Sequence, residues 1–235
     1  NNGKKIPADL VICNADPPTV YSEMLPSEYS RDSLLKPKKF THYSMGLYVL
    51  FFGSKKKFSD VAHHTIWMSE RYKELLHDIF EKKILTEDFS LYLHRPTATD
   101  DTFAPEGCDS FYVLCPVPNL QGNVQWNLEG PKLKDRIVEA LDKTIMPGLK
   151  ENIEAEFWMT PEDFKNDYRS KYGAGFSVAP IFSQSAWFRY HNKDKKIPNL
   201  YFSAAGSHPG AGIPGVLCSA KVIEKLIIKD FKVSH

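Results

Sequence analysis

Ten residues near the end of the chain, Gly206 to Gly215, hold four glycines and two prolines and limit what the surrounding segments can be. Before them, Leu200 to Ala205 is a short apolar run that reads as a buried strand, with Pro198-Asn199 on one side and Gly206 on the other. After them, Val216, Ile223, Leu226 and Ile227 recur at helical spacing, with Lys221, Lys225 and Lys229 between. A strand, a glycine-rich turn and a helix N-terminus form a place where backbone N–H groups can approach an anionic or electron-rich ligand. Gly210, Gly212 and Gly215 satisfy G-x-G-x-x-G, but that dinucleotide pattern opens a βαβ unit and needs an acidic residue about 20 positions on, at the end of a second strand. Asp230 has the spacing, yet the sequence ends at His235 with no second strand to carry it. The plain alternative is a tight structural turn.

Upstream, Ala8 to Cys13 reads as a strand, and Asp16-Pro17 as an N-cap with proline at the first helical position, opening a short helix through Tyr21 to Leu25. Lys36-Pro-Lys-Lys reads as a basic linker. Tyr43–Gly53, His64–Met68, Phe89–His94, Phe111–Cys115 and Ile153–Met159 read as strands. Helices are expected from a Ser69 cap, with Tyr72, Leu75, Leu76, Ile79 and Phe80 on one face, and from Pro131 to a stop at Pro147-Gly148. Another is expected after Thr160-Pro-Glu-Asp, which combines cap, N1 proline and acidic first turn. The expected fold class is α/β (mixed α+β): a mixed sheet backed by helices, plus a second layer built from the chain's two ends.

The string Gly206-Ser-His-Pro-Gly-Ala-Gly-Ile-Pro-Gly-Val closely resembles the C-terminal flavin motif of bacterial-type phytoene desaturases, within the FAD-dependent amine oxidase superfamily. The resemblance extends through Ala62-His-His-Thr, Glu87-Asp-Phe-Ser-Leu-Tyr-Leu-His, Ala104-Pro-Glu-Gly-Cys, Glu129-Gly-Pro-Lys-Leu, Met146-Pro-Gly-Leu and Gln184-Ser-Ala-Trp-Phe-Arg, nearly the whole chain. It implies FAD as cofactor and a C40 carotenoid hydrocarbon, phytoene, as substrate, desaturated with oxygen or a quinone as electron acceptor. Carotenoid isomerases, ketolases and retinol saturases share the motif. A non-catalytic lipid- or prenyl-binding module on the same scaffold is the alternative of another class. The family carries a pyrophosphate-binding G-x-G-x-x-G near its N-terminus and this chain has none there, so the resemblance implies roughly the C-terminal half of a longer enzyme. It divides the chain into 1–16, a strand returning to the FAD domain; 17–192, the substrate domain with linkers; and 193–235, the FAD-binding strand, loop and helix.

The cofactor-binding residues implied are Gly206, Ser207, Pro209, Gly210, Gly212, Ile213, Pro214, Gly215 and Val216. In such enzymes the flavin supplies the redox chemistry and the protein supplies orientation, electrostatics and exclusion of water. Ser207 stands where Thr is common in the family. His208 is a weak catalytic candidate, since a lone His in a tight loop serves more often as a hydrogen-bonding strut. Trp187, Phe188 and Arg189 are expected to line the substrate path, or else to form a structural corner.

A formal net charge of +1 offers no electrostatic case for nucleic acid. Cys13, Cys108, Cys115 and Cys218 lack C-x-x-C spacing and read as buried thiols in a reducing compartment, while His63, His64 and His94 lack metal-site spacing, so no metal is expected. No G-x-S-x-G marks a hydrolase. No apolar run reaches the roughly 18 residues of a membrane span. A hydrocarbon substrate without a span implies a cytoplasmic enzyme held peripherally at the membrane, and Lys55-Lys-Lys is either solvated surface or attracted to anionic headgroups.

Overall fold

A computed structural model describes residues 3–30 and 41–232; the basic linker expected at Lys36 to Lys39 lies outside them. In chain order the elements begin with β1 (Val11–Cys13), α1 (Pro17–Thr19, continuing as a wider turn Val20–Met24) and α2 (Ser27–Ser30). Next come β2 (Gly46–Ser54), β3 (His64–Trp67), α3 (Tyr72–His77, widening over Asp78–Lys82), β4 (Leu91–His94) and β5 (Asp109–Val117). The chain continues with α4 (Trp126–Lys143), α5 (Leu149–Asn152), β6 (Ile153–Met159) and α6 (Pro161–Asp167), then β7 (Leu200–Phe202) and α7 (Ile213–Phe231). It separates into two compact units. One comprises 1–44, 168–171 and 176–235; the other comprises 45–167 and 172–175. The sequence expectation drew its boundaries at 16/17 and 192/193.

The central unit is a five-stranded sheet in the order β3-β4-β5-β2-β6. Every pairing in it is antiparallel, whereas a mixed sheet was expected; the parallel pairing lies in the other unit, where β1 runs beside β7. β5 alternates buried and half-buried along its whole length, so Phe111, Val113, Cys115 and Val117 face the core and Tyr112 and Leu114 the opposite side. Leu133, Ile137, Val138 and Leu141 of α4 join Leu50, Phe52, Val113 and Leu93 in that core. Of the four cysteines read as buried thiols, the structure buries Cys115 alone and exposes Cys218.

Two local expectations, the start of α4 and the cap of α3, are corrected. α4 starts at Trp126 and carries Pro131 inside it, because Trp126 is buried and stacks on Tyr48, anchoring an earlier turn. Proline there removes one intrahelical bond to Asn127, and the neighbouring Gly130 carbonyl accepts the Tyr48 hydroxyl at 2.9 Å. Asp16 holds the N-cap position of α1 with its backbone: its carbonyl accepts from the N–H groups of Thr19 and Val20 at 2.9 and 3.0 Å, while its carboxyl is used elsewhere. Arg71 rather than Ser69 caps α3, although Ser69 Oγ still accepts the Arg71 N–H at 3.0 Å. The Thr160 cap forms as the spacing predicts, with Asp163 accepting the Thr160 N–H at 2.6 Å and Thr160 Oγ1 accepting the Glu162 N–H at 3.2 Å.

Candidate functional site

Residues 203–212 join β7 to α7, and at two of them the backbone takes shapes that only glycine holds comfortably. Gly210 and Gly212 have φ of +146° and +90°, and Gly212 is the N-cap residue of α7. A Cβ at Gly215 would lie 2.7 Å from the Gly210 carbonyl oxygen, so the first turn of α7 folds directly onto the loop. At Gly206 a Cβ would come within 2.6 Å of Pro17, 2.7 Å of Ser177 Oγ and 2.8 Å of Asp16 Oδ1. The loop is therefore pressed against the turn after β1. Asp16 accepts from Ser177 Oγ at 2.5 Å and from the Lys171 N–H at 3.2 Å. Burial pushes its carboxyl up, against the pull of those hydrogen bonds and of Arg189 and Lys171.

The remaining supports come from residues that sequence reading either missed or cast in other roles. Asn192 Nδ2 donates to the carbonyls of Phe202 and His208 at 3.1 and 2.7 Å, clasping the two ends of the loop. The His208 N–H donates to the Tyr190 carbonyl at 2.7 Å. Ser207 is buried, and its hydroxyl is spent on the backbone of Ala204, accepting at 3.0 Å and donating at 2.9 Å. Arg189, read from the sequence as either a substrate-path residue or part of a structural corner, is buried. Its guanidinium donates to the carbonyls of Ala205, Phe176 and Val178 at 2.9, 2.7 and 3.2 Å. A guanidinium has five fixed donors, and this corner presents backbone carbonyls to several of them. Asn192 and Arg189 carry no local signal in the sequence, since these bonds reach partners ten or more residues away.

What the loop leaves open is its outer side. Gly212, Ile213 and Pro214 are exposed, and a Cβ at Gly212 would meet nothing within 4 Å. No side chain caps α7, and its first turn holds no acidic residue. Helix geometry leaves the N–H groups of Ile213 and Gly215 without intrahelical partners, while Pro214 has none to offer. The Val216 N–H closes the first turn on Gly212 at 2.9 Å. His208 contributes a buried Nδ1 with no hydrogen-bond partner, its ring edge-on to Trp187 at 6.1 Å. Trp187 and Phe188 are exposed, together with Ile181 and Phe182, and Phe182 and Phe188 lie 5.8 Å apart. These residues fit an electron-rich, partly apolar ligand such as a flavin ring: bare backbone, a positive helix end and flat apolar side chains.

The central unit has its own concavity, a groove of about 710 Å³ on the sheet face opposite α4. Phe51, Phe157 and Tyr112 form its floor, with Phe51 and Phe157 stacked at 4.5 Å, and Phe103, His63 and His94 line it as well. Contrary to the spacing argument, the fold brings His63, His64 and His94 together, because the β3–β4 register sets His64 directly opposite His94. The Lys55–Lys57 run is engaged on the surface: Lys55 with Glu154 at 3.7 Å, Lys56 with the Pro147 carbonyl at 2.6 Å and Lys57 with Asp101 at 3.0 Å. No helix among the described residues is long and apolar enough to cross a membrane.

The chain is 45% identical over 233 residues to the lycopene-forming phytoene desaturase of Pantoea ananas, covering 97% of this chain and 47% of that protein. It is 44% identical over 234 residues to the neurosporene-forming phytoene desaturase of Rhodobacter capsulatus, covering 96% and 44% respectively. It thus spans about half the length of these curated relatives. An oxidoreductase from Methanosarcina mazei shares the fold, with a TM-score of 0.54 at 15% identity over 95% of this chain and 44% of that one. Residues 1–222 match the family described as Flavin containing amine oxidoreductase. With the match covering nearly its whole length and ending inside the helix that follows the glycine loop, the chain belongs to the flavin containing amine oxidoreductase family.

Proposed function

We propose that this chain is the C-terminal part of an FAD-dependent phytoene desaturase that converts saturated carbon–carbon bonds of a C40 hydrocarbon into the conjugated bonds of a lycopene-type carotenoid. The observation that carries this reading is the 45% identity to a lycopene-forming desaturase over 97% of the chain. FAD, when bound, supplies the two-electron redox chemistry. The chain's own residues hold and orient. Gly210, Gly212 and Gly215 keep backbone bare beside the ligand, Pro209 and Pro214 stiffen the loop, and the N–H groups at the start of α7, with Val216 closing the turn, favour electron-rich atoms. Gly206 and Ser207 act beneath, by close packing and by a turn hydrogen bond.

An apolar substrate needs surface of its own kind. Ile213, 79% exposed, and the exposed pair Trp187 and Phe188 supply it beside the loop. The aromatic groove over Phe51, Tyr112 and Phe157 supplies it on the central sheet. Peripheral attachment to a membrane and an oxygen or quinone acceptor belong to the same reading, since such a hydrocarbon does not dissolve in water. The test is product analysis after expressing the complete gene in a phytoene-making host. Conjugated, coloured carotenoids are expected. Unchanged phytoene sinks the proposal, and an isomerised or oxygenated product replaces desaturation with one of the related activities.

A further inference from the structure

The edge of the central sheet carries a cluster of three histidines outside the glycine loop. One ring nitrogen from each of His63, His64 and His94 lies within 4.8 Å of the other two. Nε2 of His63 is 2.9 Å from Nε2 of His94. The far nitrogens of two rings are held by hydroxyls: His63 Nδ1 by Thr99 Oγ1, and His64 Nδ1 by the Tyr92 hydroxyl at 2.7 Å. In metal sites the second ring nitrogen of a ligating histidine is held in this way, which fixes the ring and presents the other nitrogen. His94 Nδ1 is buried without a hydrogen-bond partner. The adjoining groove is lined by the carboxylates of Asp100 and Glu156, the latter paired with Lys134 at 2.9 Å, and neither lysine nor arginine is among its lining residues.

We infer that His63, His64 and His94 form a binding site for a borderline divalent cation of the zinc class, which staples edge strand β3 to β4. Three imidazoles without a carboxylate or thiolate suit Zn²⁺, Ni²⁺ or Cu²⁺ and not Mg²⁺ or Ca²⁺, which require oxygen donors. The geometry is close to what is needed. Two imidazole nitrogens about 2.0–2.1 Å from a tetrahedral ion stand roughly 3.3 Å apart. The His63–His94 contact must therefore open by a few tenths of an ångström, and His64, on the exposed edge, must close inward. The β3–β4 register already pairs His64 with His94. A water would complete a four-coordinate ion.

The competing account is a ladder of stacked rings, since His64 and His94 lie 5.2 Å apart at 13°. Calorimetric titration of the untagged chain with Zn²⁺ separates the two, with Mg²⁺ as the oxygen-seeking comparison. One Zn²⁺ per chain is expected, with no Mg²⁺ signal. His64→Gln and His94→Gln should each weaken that site by more than about 10-fold, and Tyr92→Phe, which removes only a hydroxyl, by about 10-fold. His191→Gln, outside the cluster, should leave it unchanged. Circular dichroism establishes that each variant is folded. If a glutamine variant does not fold, Tyr92→Phe still decides the question. Absence of stoichiometric Zn²⁺ binding, or equal affinity in Tyr92→Phe and in whichever glutamine variants fold, overturns the inference.

Discussion

Replacing Gly206 with alanine adds one methyl group at the point where the glycine loop meets the turn after β1. The cost follows from the neighbours. The new carbon would lie 2.6 Å from Pro17 Cδ, 2.7 Å from Ser177 Oγ and 2.8 Å from Asp16 Oδ1. A proline ring cannot swing away, and the other two atoms are joined by a 2.5 Å hydrogen bond. Overpacking of this kind costs about 1–3 kcal/mol. Displacing a hydrogen bond to a charged group adds roughly 1.5–3 kcal/mol. We therefore expect Gly206→Ala to destabilise the chain by about 2.5–6 kcal/mol in equilibrium urea unfolding near neutral pH. Two comparisons isolate the cause. Gly212→Ala meets no atom within 4 Å but must hold φ +90°, so strain alone should cost about 1–3 kcal/mol. Gly53→Ala, on β2 with open space and no positive φ, should stay within about 0.5 kcal/mol. Ser177→Ala should partly relieve Gly206→Ala, making the pair less than additive. A Gly206→Ala chain as stable as the parent, or no difference between positions 206 and 53, would refute the packing argument.

Other substitutions probe the two units separately. Asp109 is fully buried and accepts from Arg95 Nε at 3.1 Å, Thr97 Oγ1 at 2.7 Å and the Phe58 N–H at 2.7 Å. Asp109→Ala leaves Arg95 uncompensated and should cost about 3–5 kcal/mol in the same unfolding assay; a loss below about 1 kcal/mol contradicts the pairing. The Lys82 and Arg71 cations hold the buried Asp78 carboxyl below the usual carboxylate range. Its contribution is present above the unfolded-state value of ~3.9 and is lost as pH falls through the depressed folded value. Asp78→Asn should therefore be less stable than the parent at pH 7, with the gap closing below about pH 4, and a gap that widens in acid would reverse the assignment. In the complete enzyme, His208→Ala should keep its flavin and lose little activity, because the loop is held by the backbone of His208 through Tyr190 and Asn192. A fall of roughly 10²–10⁴-fold with flavin retained would make His208 a proton-transfer group.

Several features were legible in the residues themselves because they are local. Positive φ at Gly210 and Gly212 answers to a chemistry that only glycine offers, so the tight turn between β7 and α7 was visible in the string. The Thr160–Asp163 cap closes within one helical turn, and the apolar alternation of β5 has a period of two. The helix in front of Pro131 escaped notice because a buried Trp126 outweighs the preference of proline for a first turn, and that burial comes from packing on Tyr48, far away in the chain. Arg189 reads identically in sequence whether its guanidinium faces a substrate or a ring of carbonyls; only the folded corner around Phe176, Val178 and Ala205 decides. His63, His64 and His94 are spread over more than 30 residues, and their meeting depends on a strand register set by which faces of β3, β4 and β5 are buried. Gly206 combines both kinds of information. Its place in the motif is written in the sequence, but the three atoms that forbid a side chain there come from Asp16, Pro17 and Ser177, brought in by the parallel pairing of β1 with β7 and by the return of the chain after residue 175.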